Sequence, residues 1–226
     1  LVDRENVADD LLVLAGDNLI SFEVSDFIDF FEAKGSTTLA AYDVGSRERA
    51  KSYGLVELEG DEVIDFQEKP EDPKSTLVSI AAYAYPEETL PLLEDYLAGD
   101  NNPDEPGWFV QWLQQRDSVY AFTFDGAWFD IGTPESYLDA VRWALGGENL
   151  VSPDATLEDT TLGTNVHVMA DAEVHNSHLD NSVVFPNATI ENCDVRDSII
   201  DEQTYLENID FSGALIGAHT SISNDG

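Results

Sequence analysis

The chain has 226 residues, 42% of them hydrophobic, which is enough to bury a real core in one large domain or two modest ones. Forty-six acidic residues against 10 basic ones leave a net charge of -36, which repels phosphate backbones and anionic lipid and so sets nucleic acid and membrane surfaces aside as partners. The acid is spread along the whole chain rather than gathered in a tail, as suits the solvated surface of a halophilic protein in a very salty cytoplasm.

The first apolar run, Leu11 to Ala15, stops at Gly16-Asp17-Asn18 and predicts a strand buried on both faces that ends in a turn. Ser25 is placed to cap a helix carrying Phe27, Ile28, Phe30 and Phe31 on one face, closed by Gly35. Residues 37 to 44 read as another buried strand. Residues 55 to 69 alternate on either side of Gly60-Asp61, which predicts a hairpin. A strand over 79 to 85 follows, and Pro86 then opens a helix through Leu97. The polar loop from Asn101 leads into Trp108-Phe109-Val110-Gln111-Trp112-Leu113, whose aromatics at helical spacing read mostly as core. A strand over 119 to 124 precedes Trp128-Phe129-Asp130, Thr133 starts a helix, and Gly146-Gly147 stops it. Strands alternating with helices imply an α/β sheet with helices on its faces.

Beyond residue 150 the period changes. Branched or aromatic residues fall into three columns: Val168, Val184, Ile200, Ile216; Val174, Ile190, Leu206, Ile222; and Leu179, Val195, Phe211. Three columns per coil mean a three-sided solenoid with one inward side chain per face, begun by a less regular coil at Val151, Leu157 and Leu162. A single coil cannot bury its own core, so the coils stack, and the last one near Ile222 needs a cap, a partner chain or further residues. Two domains are therefore expected, at 1–147 and 148–226.

Several short motifs carry possible chemistry. Asp17 follows a strand end, where ligands of open α/β sheets bind; it serves either a divalent ion or its own turn. Gly54 permits close approach of a ligand to the backbone. Glu68 suits sugar hydroxyls and Lys69 a phosphate, or the two form an exposed ion pair at a hairpin end. Lys69 is one of the lysines, with Lys34, Lys51 and Lys74, kept against the acidic bias. Asp130 is either a turn acid before the Thr133 cap or, with Asp17, an oxygen ligand of Mg²⁺. Cys193, the only cysteine, can form no internal disulfide and reads as a small residue inside the repeat. Without a signal-peptide pattern or a long apolar run, the expected location is the cytoplasm.

In order, LAGDN, YG, EKP and WFDIGTPESYLDA with a β-helix behind resemble the sugar-1-phosphate nucleotidylyltransferases, also called sugar-nucleotide pyrophosphorylases. The segment PGWFVQWL is most similar to archaeal-type glucose-1-phosphate thymidylyltransferases. The resemblance implies an α/β fold, a partial Rossmann-like nucleotidyltransferase sheet followed by a short left-handed β-helix. It implies Asp17 and Asp130 as ligands of Mg²⁺, and Gly54, Glu68 and Ser79 as sugar contacts. Lys69 would hold the sugar's phosphate, and Asp17, Asp130 and Lys69 would carry the catalysis. Ala81 stands where the family has a glycine, so a methyl group would crowd the sugar. The family's opening GGxGTRLxPxT loop and PKP segment, which bind the nucleoside triphosphate, have no match here. The expectation is a fragment of a longer, homo-oligomeric enzyme that transfers a nucleotidyl group from dTTP or UTP to glucose 1-phosphate. Two rivals stand beside it. One is a non-catalytic sugar-phosphate-binding regulatory subunit. The other is a hexapeptide-repeat acyltransferase using His175, His178 or His219 as base.

Overall fold

A computed structural model describes residues 7–224. The chain divides into two compact units, Leu1–Trp128 and Phe129–Gly226.

The first unit is built on a six-stranded mixed sheet. Its strands are β1 (Leu11–Leu14), β3 (Thr38–Asp43), β4 (Gly54–Glu59), β5 (Glu62–Glu68), β6 (Leu77–Tyr85) and β7 (Tyr120–Thr123), in the order β1-β6-β3-β7-β5-β4. A short strand β2 (Asn18–Ile20) follows the Asp17 turn. The nine-residue β6 is the spine. One of its edges pairs with β3; the other is shared by β1, at Ala82 to Tyr85, and β4, at Val78 and Ser79. Among the described strands of this sheet, only β3 and β7 run parallel. Period-two alternation along β3 divides the core. Leu39 and Ala41 join Val56, Phe66, Tyr85, Phe109 and Leu113 on one face, whereas Ala40 joins Phe27, Phe31, Ile80 and Trp128 on the other.

Helix α1 (Val24–Lys34) buries Phe27 and Phe31 and ends at Gly35 in a left-handed conformation (φ 61°), which glycine adopts without a Cβ penalty. Its N-cap is Glu23 rather than Ser25, and Glu23 makes no side-chain cap bond. A short helix α2 (Arg47–Ala50) leads to β4. The hairpin turn falls at Gly60 (φ 65°). Helices α3 (Leu90–Ala98) and α4 (Pro106–Gln114) follow, and α4 buries Phe109, Val110 and Leu113. The run Leu11 to Leu14 is not buried on both faces. Leu11 and Val13 pack against the first core, whereas Leu12 and Leu14 on the opposite face are 38% and 43% exposed; among the described residues β1 is also an edge strand, paired with β6 alone.

The second unit opens with helix α5 (Pro134–Leu145). Thr133 and Ser136 form a reciprocal capping box at its start, and Gly146 (φ 59°) closes it. Three parallel sheets follow, stacked from successive coils. The registers match the predicted columns: Val168↔Val184, Val184↔Ile200 and Ile200↔Ile216; Val174↔Ile190, Ile190↔Leu206 and Leu206↔Ile222; Leu179↔Val195 and Val195↔Phe211. Val151, Leu157 and Leu162 pair with Val168, Val174 and Leu179, so the first coil is one residue longer but in phase.

Each coil turns three corners through residues in the left-handed region. One column is Asp159, Asn176, Asn192 and Asn208; the next is Asn165, Asn181, Asp197 and Gly213; the last is Asp171, Asn187, Gln203 and His219. Asn, Asp and Gly tolerate φ > 0 best, and they hold all of these corners except those of Gln203 and His219. In the first column Asn176 donates to Asn192 (2.6 Å) and Asn192 to Asn208 (3.1 Å), forming an amide ladder. The outer face at Val183 and Ile199 is covered by Leu138 of α5. The helix thus packs with the coils, whereas the sequence pattern put the domain boundary after it.

Candidate functional site

Gly54 is the crossing point of the site. It lies opposite Glu68 on β5 and opposite Ser79 on β6, so three of the sequence-predicted residues meet in one register. The hairpin places Glu68 there because the turn at Gly60 sets the pairing. A Cβ on Gly54 would come within 2.4 Å of the Phe66 ring and 2.9 Å of a Glu68 carboxylate oxygen. The space that glycine leaves open is therefore occupied by the protein's own Glu68 and Phe66.

Two residues of α4 complete the seat of Glu68. The Gln111 side chain accepts from the Glu68 backbone N–H at 2.8 Å. A Cβ on Gly107 would lie 1.7 Å from the Glu68 carboxylate, so the carboxylate rests against the first turn of α4 only because residue 107 is glycine. Burial, then the nearby Glu105 carboxylate, push the Glu68 carboxyl up to about 7 against the opposing pull of Lys69. Tyr83 is buried beside it, and burial pushes its phenol up to about 12; Ser79 Oγ donates to its hydroxyl at 3.3 Å.

Lys69 follows with φ 45°, a conformation that few non-glycine residues adopt, and its N–H donates to Tyr53 O at 3.1 Å. Its ammonium is hydrogen-bonded to the Glu105 carboxylate, which holds it above its ordinary pKa. Glu105 is the N-cap residue of α4, but its side chain makes no cap bond. Gly107, Gln111 and Glu105 were not singled out from the sequence. They reach Glu68-Lys69 from an element far along the chain, and the aromatic spacing of α4 signalled only core.

Asp17 sits in the exposed turn after β1, where one carboxylate oxygen accepts from the Asn18 side chain at 3.0 Å. Asn18 in turn accepts from the Trp128 indole N–H at 2.5 Å, and Ala15 N–H donates to Ala81 O, so the turn is tied to β6. Ala81 lies where β6 bulges against β3, between the Leu39↔Tyr83 and Ala40↔Ile80 pairs. Ala81 also lines a small hollow of about 90 Å³ with Leu14, Ala15, Asn18 and Ile20. Asp130 ends the strand Trp128–Asp130, just before the Thr133 cap. Among the described residues no cluster of three or more His, Cys, Asp or Glu groups is spaced to hold a metal. Carboxylate oxygens are nonetheless the donors Mg²⁺ takes, and one or two suffice where phosphates complete its shell.

In the second unit the histidines do not share one site. His175 lies on one sheet, beside Glu158 and Glu173; His178 lies on the next, and His219 at a corner. Cys193 is 3% exposed, and its Sγ donates to Glu191 O at 3.1 Å; burial raises its thiol pKa, as for an inert packing residue. No helix among the described residues is long and apolar enough to cross a membrane.

Residues 1–145 match the family model described as Nucleotidyl transferase. Over 148 residues the chain is 36% identical to the glucose-1-phosphate adenylyltransferase of Thermotoga neapolitana, a match covering 61% of this chain and 34% of that protein. It is 29% identical over 194 residues to the glucose-1-phosphate adenylyltransferase of Thermosipho africanus, covering 77% and 46% respectively. With the protein of the same name from Fervidobacterium nodosum, identity is 32% over 131 residues, covering 56% and 31%. The chain thus spans less than half the length of these curated relatives.

Proposed function

Since the chain belongs to the nucleotidyl transferase family, we propose that it supplies the acceptor side of a sugar-1-phosphate nucleotidylyltransferase. The observation that carries this reading is the convergence of Gly54, Glu68 and Ser79 in one register, with Lys69 beside them. A sugar hydroxyl finds a carboxyl at Glu68, and a phosphate finds a cation at Lys69. The relatives named above transfer an adenylyl group, which favours ATP over the dTTP or UTP expected from the sequence, with glucose 1-phosphate as acceptor.

In the reaction, a phosphate oxygen of the sugar 1-phosphate attacks the α-phosphorus of the nucleoside triphosphate. The bond to the β-phosphate bridging oxygen breaks, and pyrophosphate leaves with that electron pair. The attacking oxygen is already ionised, so no general base is needed. Lys69 holds the acceptor phosphate and offsets its charge, while Glu68 and Ser79 orient the sugar; positioning of this kind is the larger part of such catalysis. Asp17 and Asp130 would hold Mg²⁺, which supplies charge neutralisation at the phosphates.

The test uses the native gene product. Asp17→Asn and Asp130→Asn are each expected to abolish Mg²⁺-dependent release of pyrophosphate. Unchanged turnover in both would overturn the metal assignment. Binding of glucose 1-phosphate with no turnover in any assembly would favour a regulatory subunit instead.

A further inference from the structure

The ion pair between Lys69 and Glu105 is not explained by the reading above, which needs the ammonium for a phosphate. Glu105 is the N-cap residue of α4, a position where the shorter side chains of Ser, Thr, Asp or Asn are the ones that commonly satisfy a free helix N–H. Here it makes no such bond and is spent on Lys69. The polar loop before it, from Gly99 to Asp104, is tied to α3 by Asn101, which donates to Tyr96 O, and within itself by Asn102, which accepts from Asp104 N–H. The backbone of Lys69 is pinned at φ 45° by the bond to Tyr53 O, and Pro70 follows. Glu68, its sequence neighbour, is seated against Gly54 and Gly107 instead.

We propose that Glu105 is a specificity-determining residue that occupies Lys69 as a stand-in anion and yields it only to a strongly charged phosphate group. This rests on the assignment of Lys69 to the acceptor phosphate and adds what sets its selectivity. A carboxylate and a phosphate oxygen make the same charge-assisted hydrogen bond to an ammonium, so the two compete for one place. A neutral sugar or a weakly charged ligand gains too little from Lys69 to expel an anion that is already held. A dianionic phosphate gains enough, and its arrival sends Glu105 toward solvent, where the carboxylate is hydrated at small cost; its side chain is already 37% exposed.

The experiment is calorimetric titration of this chain, at fixed pH and salt, with inorganic phosphate and separately with glucose 1-phosphate. Glu105→Gln is expected to bind inorganic phosphate about tenfold more tightly than the unmodified chain, the size expected when a competing exposed ion pair and a nearby like charge are both removed. Lys69→Gln in the same background is expected to erase that gain, which a mere loosening of the loop would not do. Affinity for phosphate that is unchanged or weaker in Glu105→Gln, including no binding by either form, overturns the proposal. So does a gain that survives Lys69→Gln. The glucose 1-phosphate arm tests the underlying assignment separately. A tenfold gain for phosphate with no preference for the sugar ester upholds the role of Glu105 and removes the sugar site.

Discussion

The two units solve the problem of burial in opposite ways. In the coils every inward residue rests on its counterpart one coil away, so Val168, Val184 and Ile200 repeat a single environment. In the sheet unit no environment repeats. Glu68 is seated by Gly54 from its own hairpin, by Gly107 and Gln111 from α4, and by the buried Tyr83 of β6. Repetition gives stability that is local and additive; convergence of distant elements gives a single chemically distinct place. Among the residues described, Gly54, Glu68, Lys69 and Ser79 gather in the second kind of architecture.

Leu179→Ala tests the contrast most severely. Leu179 is fully buried in a stack between Leu162 and Val195, so its truncation should cost about 3–5 kcal/mol in urea denaturation. The sharper expectation is that the Glu68 carboxyl, followed by NMR, keeps its titration midpoint near 7, because the sheet unit carries its own cores. A loss of that midpoint would mean that the units share more than the chain between them.

Gly107→Ala is the mirror experiment. The added methyl meets the Glu68 carboxylate, so either that side chain or the start of α4 must shift, at about 1–3 kcal/mol. Affinity for glucose 1-phosphate should fall with it, while the coils are untouched. Wild-type affinity in Gly107→Ala would show that the seat of Glu68 is not part of the site.

The last test is one of pH. The Glu68 carboxyl is raised from 4.5 to about 7 by folding, so the folded state holds its proton more tightly than the unfolded state. Its stabilising contribution is complete below 4.5 and is lost as pH rises through about 7. Glu68→Gln cannot titrate. The urea midpoint of the unmodified chain should therefore fall relative to that of Glu68→Gln as pH rises through this window, and the gap should level off above it. A constant gap would mean that Glu68 ionises as freely as an exposed carboxylate.

How far the molecule could be read from its residues follows the same division. The coil columns were legible down to individual pairs, since a fixed period determines register. The corner residues Asn176, Asn192 and Asn208 recur at the same interval and were equally visible, but attention to apolar residues alone missed them. In the sheet unit the hairpin at Gly60, the Gly35 stop and the Thr133 cap were readable because their causes are local. Leu12 and Leu14 were misjudged, because an edge strand and a central strand can share one apolar pattern. The candidate site was half visible: Gly54, Glu68, Lys69 and Ser79, proposed from motifs, lie together, whereas Glu105, Gly107 and Gln111 arrive through tertiary folding that no short window contains.

The corner columns also bear on how such a chain can change over generations. Losing or gaining one residue inside a strand would turn the side chains after it to the wrong side, whereas the extra residue of the first coil falls between Leu162 and Val168, at a corner, and leaves the register intact. Duplicating or deleting one whole coil would leave each neighbour facing what it faced before. Whole coils are therefore the natural step by which the solenoid lengthens or shortens, at the interval of 16 residues that separates Asn176, Asn192 and Asn208.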